Sequence, residues 1–325
     1  MKVFDDILAE IRRKPRIPAP SQAVTRIMAM TRDPDCDIAR VAEAIQRDAA
    51  ITSRLLREAN CAMFAAAKKT SSVRDACMRL GLARIRAVVM NQHVVGGMRD
   101  ACPPGFHPNR YWQGALATSV AAGDLGRRLL PSQADDAITA GLLCDIGVSL
   151  MAFAIPPTYA KVLSEYAKSQ TASIDDIERR VLGVSHAEIG AAILTDWQLE
   201  EHLIVAVGRH HNLPDAPCPD DGTARFARIV AAAAVCSRLA LAGSDMEHVE
   251  CLFRQLDGLT PNPDALVGDV LDQLVSHIKE TADSLAVELG ETNELAANLA
   301  DAVRGIPDCS AAMSTRPMDS PVMRQ

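Results

Sequence analysis

Four polar side chains stand on otherwise apolar helical stretches of this 325-residue chain: Asp145 in "AGLLCDIG", His186 in "VLGVSHAEIG", and the pair His210 and His211 in "RHHNLP". A carboxylate on one helix, an imidazole opening a second and an imidazole pair closing a third can converge on one metal ion. Mixed nitrogen and oxygen donors suit Fe, Mn, Zn or Mg. Cys144, beside Asp145, adds a thiol, so that cysteine, aspartate and two histidines form a possible tetrahedral zinc set. Each residue also has a purely structural reading. Asp145 is then a helix-interior acid paired with an arginine or a backbone amide, and His186 the first residue of a helix capped by Ser185 and Glu188. His210 and His211 complement the negative end of a helix dipole, and Cys144 is a small buried hydrophobe.

Such residues need helices to hold them, and the composition supplies helices. Hydrophobic residues make up 48% of the chain but aromatics 3%. Alanine and leucine therefore carry most of the apolar content, which favours closely packed helices over sheets and gives an all-α fold class. Apolar spacing predicts helices over 3–13, 22–31, 38–47, 49–60, 82–93, 111–130, 136–153, 200–211, 223–242, 245–256 and 263–289, with a short one at 293–304. Capping boxes at Ser72 with Asp75, Ser173 with Asp176 and Ser185 with Glu188 mark further starts, the last two near Ile174 and His186. In 263–289 the stripe Val267, Val270, Leu271, Leu274, Ile278 and Leu285 is a core face or, if unburied, a partner-accepting one. Residues 306–325 lack periodicity and read as a disordered tail.

Charge and cysteine usage exclude several classes. Residues 1–100 carry 18 Lys and Arg against 11 Asp and Glu, and the rest 16 against 30. A basic half docking against an acidic half accounts for this. No aromatic residues interleave with the arginines, so nucleic acid is not the expected partner. Arg79, Arg84 and Arg86 are instead the candidate protein-interaction surface. The first residues, "MKVFDDILAEIRRK", place acids inside the apolar turns and do not form a secretory signal. The longest apolar run, Ile229–Cys236, is too short to cross a bilayer. Nine cysteines without a CxxC pair make a disulfide framework or a zinc ribbon unexpected. The expectation is a cytoplasmic protein with reduced thiols and no membrane contact.

The ordered motifs "DPDCDIARVAEAIQRDAAITSRLLREANCAMF", "SSVRDACMRLGLARIRAVVM", "YWQGALATSVAA", "AGLLCDIG", "VLGVSHAEIGAAILTDWQLEEHL" and "RHHNLP" resemble the HD-related output domain (HDOD) family of bacterial signalling proteins, from about Pro15 to Pro214. That family is related to the HD phosphohydrolases, helical enzymes that hold one or two metals through histidines and a His-Asp dyad. Carried over by position, the first metal histidine of those enzymes falls at Gly114 and the dyad histidine at Cys144. The dyad aspartate falls at Asp145, and the later histidines at His186, His210 and His211.

Two donors are thus missing. The resemblance implies a vestigial site without catalysis or a required cofactor, with Zn, Fe or Mn the metals if one is retained. It further implies a helical N-terminal part (1–105) packed on an HD-like helical core (106–218), followed by a C-terminal helical extension (219–305). The implied function is regulation in bacterial signal transduction through contact with other signalling proteins. The alternatives are a divergent metal-dependent phosphohydrolase and a nucleotide or cyclic-dinucleotide sensor, in which Arg86 or Arg110 would meet a phosphate.

Overall fold

The computed structural model describes residues 2–13, 26–27, 29–31, 36–60, 69–96, 103–169, 173–197, 199–214, 218, 221–243, 246–285, 295, 297–302 and 304. Among these residues the fold is all-α. The N-terminal helices are α1 (Lys2–Arg13), α2 (Ile38–Gln46), α3 (Ala49–Ala59) and α4 (Val73–Gly96). Asp37 caps α2 by accepting from the Ala39 amide at 2.8 Å, and Asp48 opens α3 by accepting from Ile51 at 3.0 Å. Gly81, at φ 70°, bends α4 where the sequence places a break; that backbone conformation suits a residue without a Cβ. Ile7, Leu8 and Ile11 bury one face of α1, and Arg12 ties that helix to Asp196 through two hydrogen bonds of 2.8 and 2.9 Å.

The centre of the molecule is α5 (Pro108–Leu129), buried continuously from Ala115 to Gly126. A helix buried around its whole circumference, polar Thr118, Ser119 and Asp124 included, has to be covered on all sides. Its neighbours are α6 (Ala134–Leu143), α12 (Gly222–Ala242) and α14 (Pro263–Leu285). Between α6 and α12 the chain forms α7 (Ile146–Ala154), α8 (Pro156–Lys168), α9 (Ile174–Leu182), α10 (His186–Asp196) and α11 (Glu201–Arg209), and α13 (Met246–Leu256) follows α12. The apolar stretch Pro131–Ala154 is long and apolar enough to cross a membrane, but most of it is buried inside the fold as α6 and α7.

Several expectations need correction. Residues 136–153 form two helices, because Asp145 leaves helical geometry at φ −96°, ψ 14°. Helix α8 was not anticipated; its Pro156-Pro157 reads as a breaker but occupies the first turn, where proline's missing N–H costs nothing. The stripe of α14 is core: Val267, Val270, Leu271, Leu274 and Ile278 are buried, while Leu285 lies outside the described side chains. Of 22–31, the described residues other than Thr31 are helical and include the fully buried Ile27. The end of 263–289, much of 293–304 and the whole of 306–325 lie outside the described residues.

Candidate metal centre

Asp145, His186, His210 and His211 come together. Their ligand atoms all lie within 4.8 Å of one another. The Asp145 Oδ1 is 3.3 Å from His186 Nε2 and 3.5 Å from His210 Nε2. The His186 Nε2 is in turn 3.4 Å from His210 Nε2 and 3.1 Å from His211 Nε2. Three helix junctions hold this arrangement: Asp145 sits between α6 and α7, His186 is the first residue of α10, and His210 follows the last residue of α11.

Local sequence explains each placement. Ser185 and Glu188 form the full capping box expected for α10, which fixes the direction in which His186 enters the cluster. A Cβ on Gly147 would stand 2.0 Å from the His186 carbonyl oxygen. Glycine therefore lets the first turn of α7 rest directly on the start of α10, and this contact sets Asp145 beside His186. His210 binds the Val207 carbonyl through Nδ1 at 2.7 Å, which orients its ring against its own helix.

Glu178 on α9 was missed by sequence reasoning. It is fully buried, accepts from the His186 amide at 2.7 Å, and lies 2.7 Å from His186 Nδ1. It also accepts from the Tyr159 hydroxyl of α8. A carboxylate and a peptide carbonyl can only accept, so the Nδ1 protons of His186 and His210 belong to these contacts. In the neutral rings Nε2 then carries the lone pair, and both lone pairs face the cluster. Donor atoms about 2.0–2.1 Å from a tetrahedral zinc stand about 3.3 Å apart; four of the six separations, at 3.1–3.5 Å, match that spacing, and the other two lie within 4.8 Å.

The electrostatics of the metal-free cluster agree with this geometry. Burial pushes the His186 imidazolium down, but Glu178 and Asp145 outweigh it and raise its pKa to about 10. Burial and the neighbouring His210 and His186 hold His211 well below its usual value, so it stays neutral. Desolvation works against the Asp145 carboxylate, yet His186 and His210 keep it well below the ordinary range. A proton on His186 thus occupies the centre that a cation would take.

Cys144 does not join the four. It is fully buried, its thiol contacts Thr118 and Asp145, and burial together with the Asp145 charge pushes its pKa well up. Its sulfur does not lie within 4.8 Å of all four ligand atoms, so the clustered donors are one aspartate and three histidines in place of the cysteine-containing set. Among the described residues Asp145 pairs with His186 and His210 in place of the expected arginine or amide.

Arg84 is also not where the sequence suggested. It is 2% exposed and forms an ion pair with Glu58, so it belongs to the core and not to an interaction surface. Arg79 is half-buried, and the Arg86 side chain lies outside the described residues. Arg110 is exposed, and the arginine whose charge acts on the cluster is Arg238 of α12.

The family model of the HDOD domain matches residues 17–213, and the chain belongs to the HDOD family. An uncharacterized protein of Treponema pallidum (strain Nichols) is 28% identical over 206 residues, which is 62% of this chain but 39% of that protein. This chain therefore matches well under half of that relative's length. A protein of Shewanella amazonensis SB2B, provisionally assigned as a phosphohydrolase, superposes with a TM-score of 0.66 at 22% identity, over 86% of this chain and 97% of that one. One of Marinobacter aquaeolei VT8, provisionally assigned to signal transduction, gives 0.56 at 19% identity, over 96% and 65%. At these identities the likeness is one of fold.

Proposed function

We propose that this chain is a non-catalytic regulatory protein of bacterial signal transduction, acting in the cytoplasm through contact with other signalling proteins. The carrying observation is the donor inventory of the cleft. Asp145, His186, His210 and His211 suffice for one ion and, when all four bind it, leave a tetrahedral metal no open position. The two places from which a hydrolase would draw further ligands hold a glycine, Gly114, and a buried cysteine, Cys144, that stands outside the cluster. An ion held by these four residues, zinc above all, would supply structural cross-linking of α7, α10 and α11. The pair of Glu178 and Val207 would orient two of its imidazoles.

A metal-dependent phosphohydrolase is the competing reading, favoured by the one-third exposure of the Asp145 side chain, which leaves the cluster an approach from solvent. Elemental analysis of the purified full chain, followed by assays on phosphomonoesters and cyclic dinucleotides with Zn, Mn or Fe, separates the two. The expected result is bound zinc near one equivalent and no turnover. Turnover lost in Asp145→Ala would replace the regulatory reading with the enzymatic one.

A further inference from the structure

We propose that Arg228, on α12 in the part of the chain beyond the family match, is a positioning residue of the metal centre. By clamping the backbone that leaves the cluster, it holds His211 in place as the fourth ligand. The proposal rests on the reading of Asp145, His186, His210 and His211 as the ligands of one ion, and it names what the C-terminal helices contribute to that site.

The four ligands are not held alike. Glu178 and the Val207 carbonyl fix the rings of His186 and His210 through Nδ1. Asp145 is set by the close contact of α7 on α10 at Gly147. His211 stands past the end of α11, one residue beyond His210. Among the described residues its ring has one hydrogen-bonding contact, from Nε2 to His186 Nε2 at 3.1 Å, and it packs on the His210 ring with 4.0 Å between centroids. No carboxylate or carbonyl among those residues orients its Nδ1. The position of His211 is therefore inherited from the path of the backbone that follows it.

That path is tied down from outside. The Asn212 amide donates to the Arg209 carbonyl at 2.8 Å, which closes the turn, and Leu213 packs on the core. The carbonyl of the next residue, Pro214, accepts from Arg228 Nη2 at 2.9 Å, while Arg228 Nη1 donates to the Arg254 carbonyl in the last turn of α13 at 2.7 Å. Arg228 is 3% exposed. Its guanidinium fixes both donors in one plane, so a single rigid group joins the exit from the cluster to a carbonyl that the helix end leaves unmatched. Bonds from a charged donor are about twice as strong as neutral ones. A second tie follows: the Cys218 amide donates to the Asp257 carbonyl at 3.2 Å, where Gly258, at φ 75°, permits a close approach. A Cβ there would stand 3.0 Å from the Cys218 nitrogen. The chain leaving the cluster is thus fastened at Pro214 and again at Cys218 to the end of α13, and α12 itself packs on α11.

The test compares full-length Arg228→Met and Arg228→Lys with the parent chain and with Asn298→Ala. The last variant removes a different tie of the C-terminal helices, from Asn298 Nδ2 to the Ala240 carbonyl at 2.9 Å, toward the other end of α12. In a competition assay with a chromogenic chelator, zinc affinity should fall about tenfold or more in Arg228→Met and less in Arg228→Lys. Cobalt in place of zinc should lose visible absorption in Arg228→Met, because that absorption is strong for four tetrahedral ligands and weak once water completes a larger set. Asn298→Ala should lower the melting temperature and leave both readouts unchanged. Unchanged affinity and spectrum in a folded Arg228→Met chain, or an equal loss in Asn298→Ala, overturns the clamp. Should Arg228→Met not fold, Arg228→Lys, which keeps the charge, carries the same comparison. A parent chain that binds neither ion removes the four-ligand reading. Hydrogen exchange at the Asn212 amide then decides the clamp: faster exchange in the Arg228 variants supports it, and equal exchange overturns it. Phosphoester turnover by the parent chain would overturn the regulatory reading alone.

Discussion

Glu178 holds His186 twice, accepting from its backbone amide and facing its ring Nδ1, each at 2.7 Å. Backbone and ring are thereby fixed by one buried carboxylate, so the Nε2 direction is set before any ion arrives. Glu178→Gln keeps the shape and loses the charge, and zinc affinity should fall about 10–100-fold in a competition assay with a chromogenic chelator. Glu178→Ala strips partners from His186 and Tyr159 together and should cost about 3–5 kcal/mol in urea unfolding. Undiminished zinc affinity in a folded Glu178→Gln variant would show that Glu178 does not tune the ligand.

The contact between Gly147 and the His186 carbonyl makes a steric prediction. Gly147→Ala forces α7 and α10 apart, because the obstacle is backbone and cannot rotate away. The loss should reach about 1–3 kcal/mol or more, with weakened zinc binding as Asp145 is displaced. Gly114→Ala provides the contrast. Its Cβ meets open space inside a helix, so stability should hold or rise by up to about 1 kcal/mol. Denaturant melts of the two variants side by side check both, and equal behaviour would contradict the packing described.

Proton linkage gives a third test, with its sign set by His186. The ring's ordinary pKa is 6.5, and Glu178 and Asp145 raise it to about 10 in the folded, metal-free chain. A folded-state pKa above the unfolded one stabilises fully below about pH 6.5, and that stabilisation is lost as the pH climbs through about 10. Chelator-treated protein should melt at falling temperature from pH 7 to pH 10, and His186→Gln should remove much of that slope. An ion must displace the proton, so zinc binding at pH 7 should release about one proton, read by calorimetry in buffers of different ionisation enthalpy. Binding without proton release would place the proton elsewhere.

The pair of Arg84 and Glu58 predicts a folding defect where a surface residue would show a partner defect. Both side chains are 2% exposed, and removing one leaves the other charge buried. Arg84→Ala should cost about 3–5 kcal/mol, and Arg84→Glu should prevent stable folding. Circular dichroism melts decide this. A fully stable Arg84→Glu variant would mean that the pair opens to water.

Much of the fold was readable from spacing alone. The caps at Asp37, Asp48, Ser173 and Ser185 fall where helices begin, because a side-chain acceptor for free amides is a local requirement. The four donors were readable as a group because each interrupts an apolar stretch. What escaped was charge inside an apolar stripe. Glu178 stands four residues from both Ile174 and Leu182, and Arg84 four residues before Val88, positions that pack on the core. Their neighbours "IDDIERR" and "LARIRA" look like solvated helix, and the stripe positions were the available signal. Arg238 had no comparable signal, since its relation to the centre arises from the way α12 packs on α5.

Helix α12 lies beyond residue 213, where the family match ends, yet its Phe226, Ile229, Val230, Ala232 and Ala233 are fully buried. The unit of inheritance and the unit of folding are therefore not the same length. A gene segment shuffled into a new protein at the family boundary would arrive with the central helix α5 bare along one side and would have to recruit a replacement cover. The cover is thus an obligatory companion of the module.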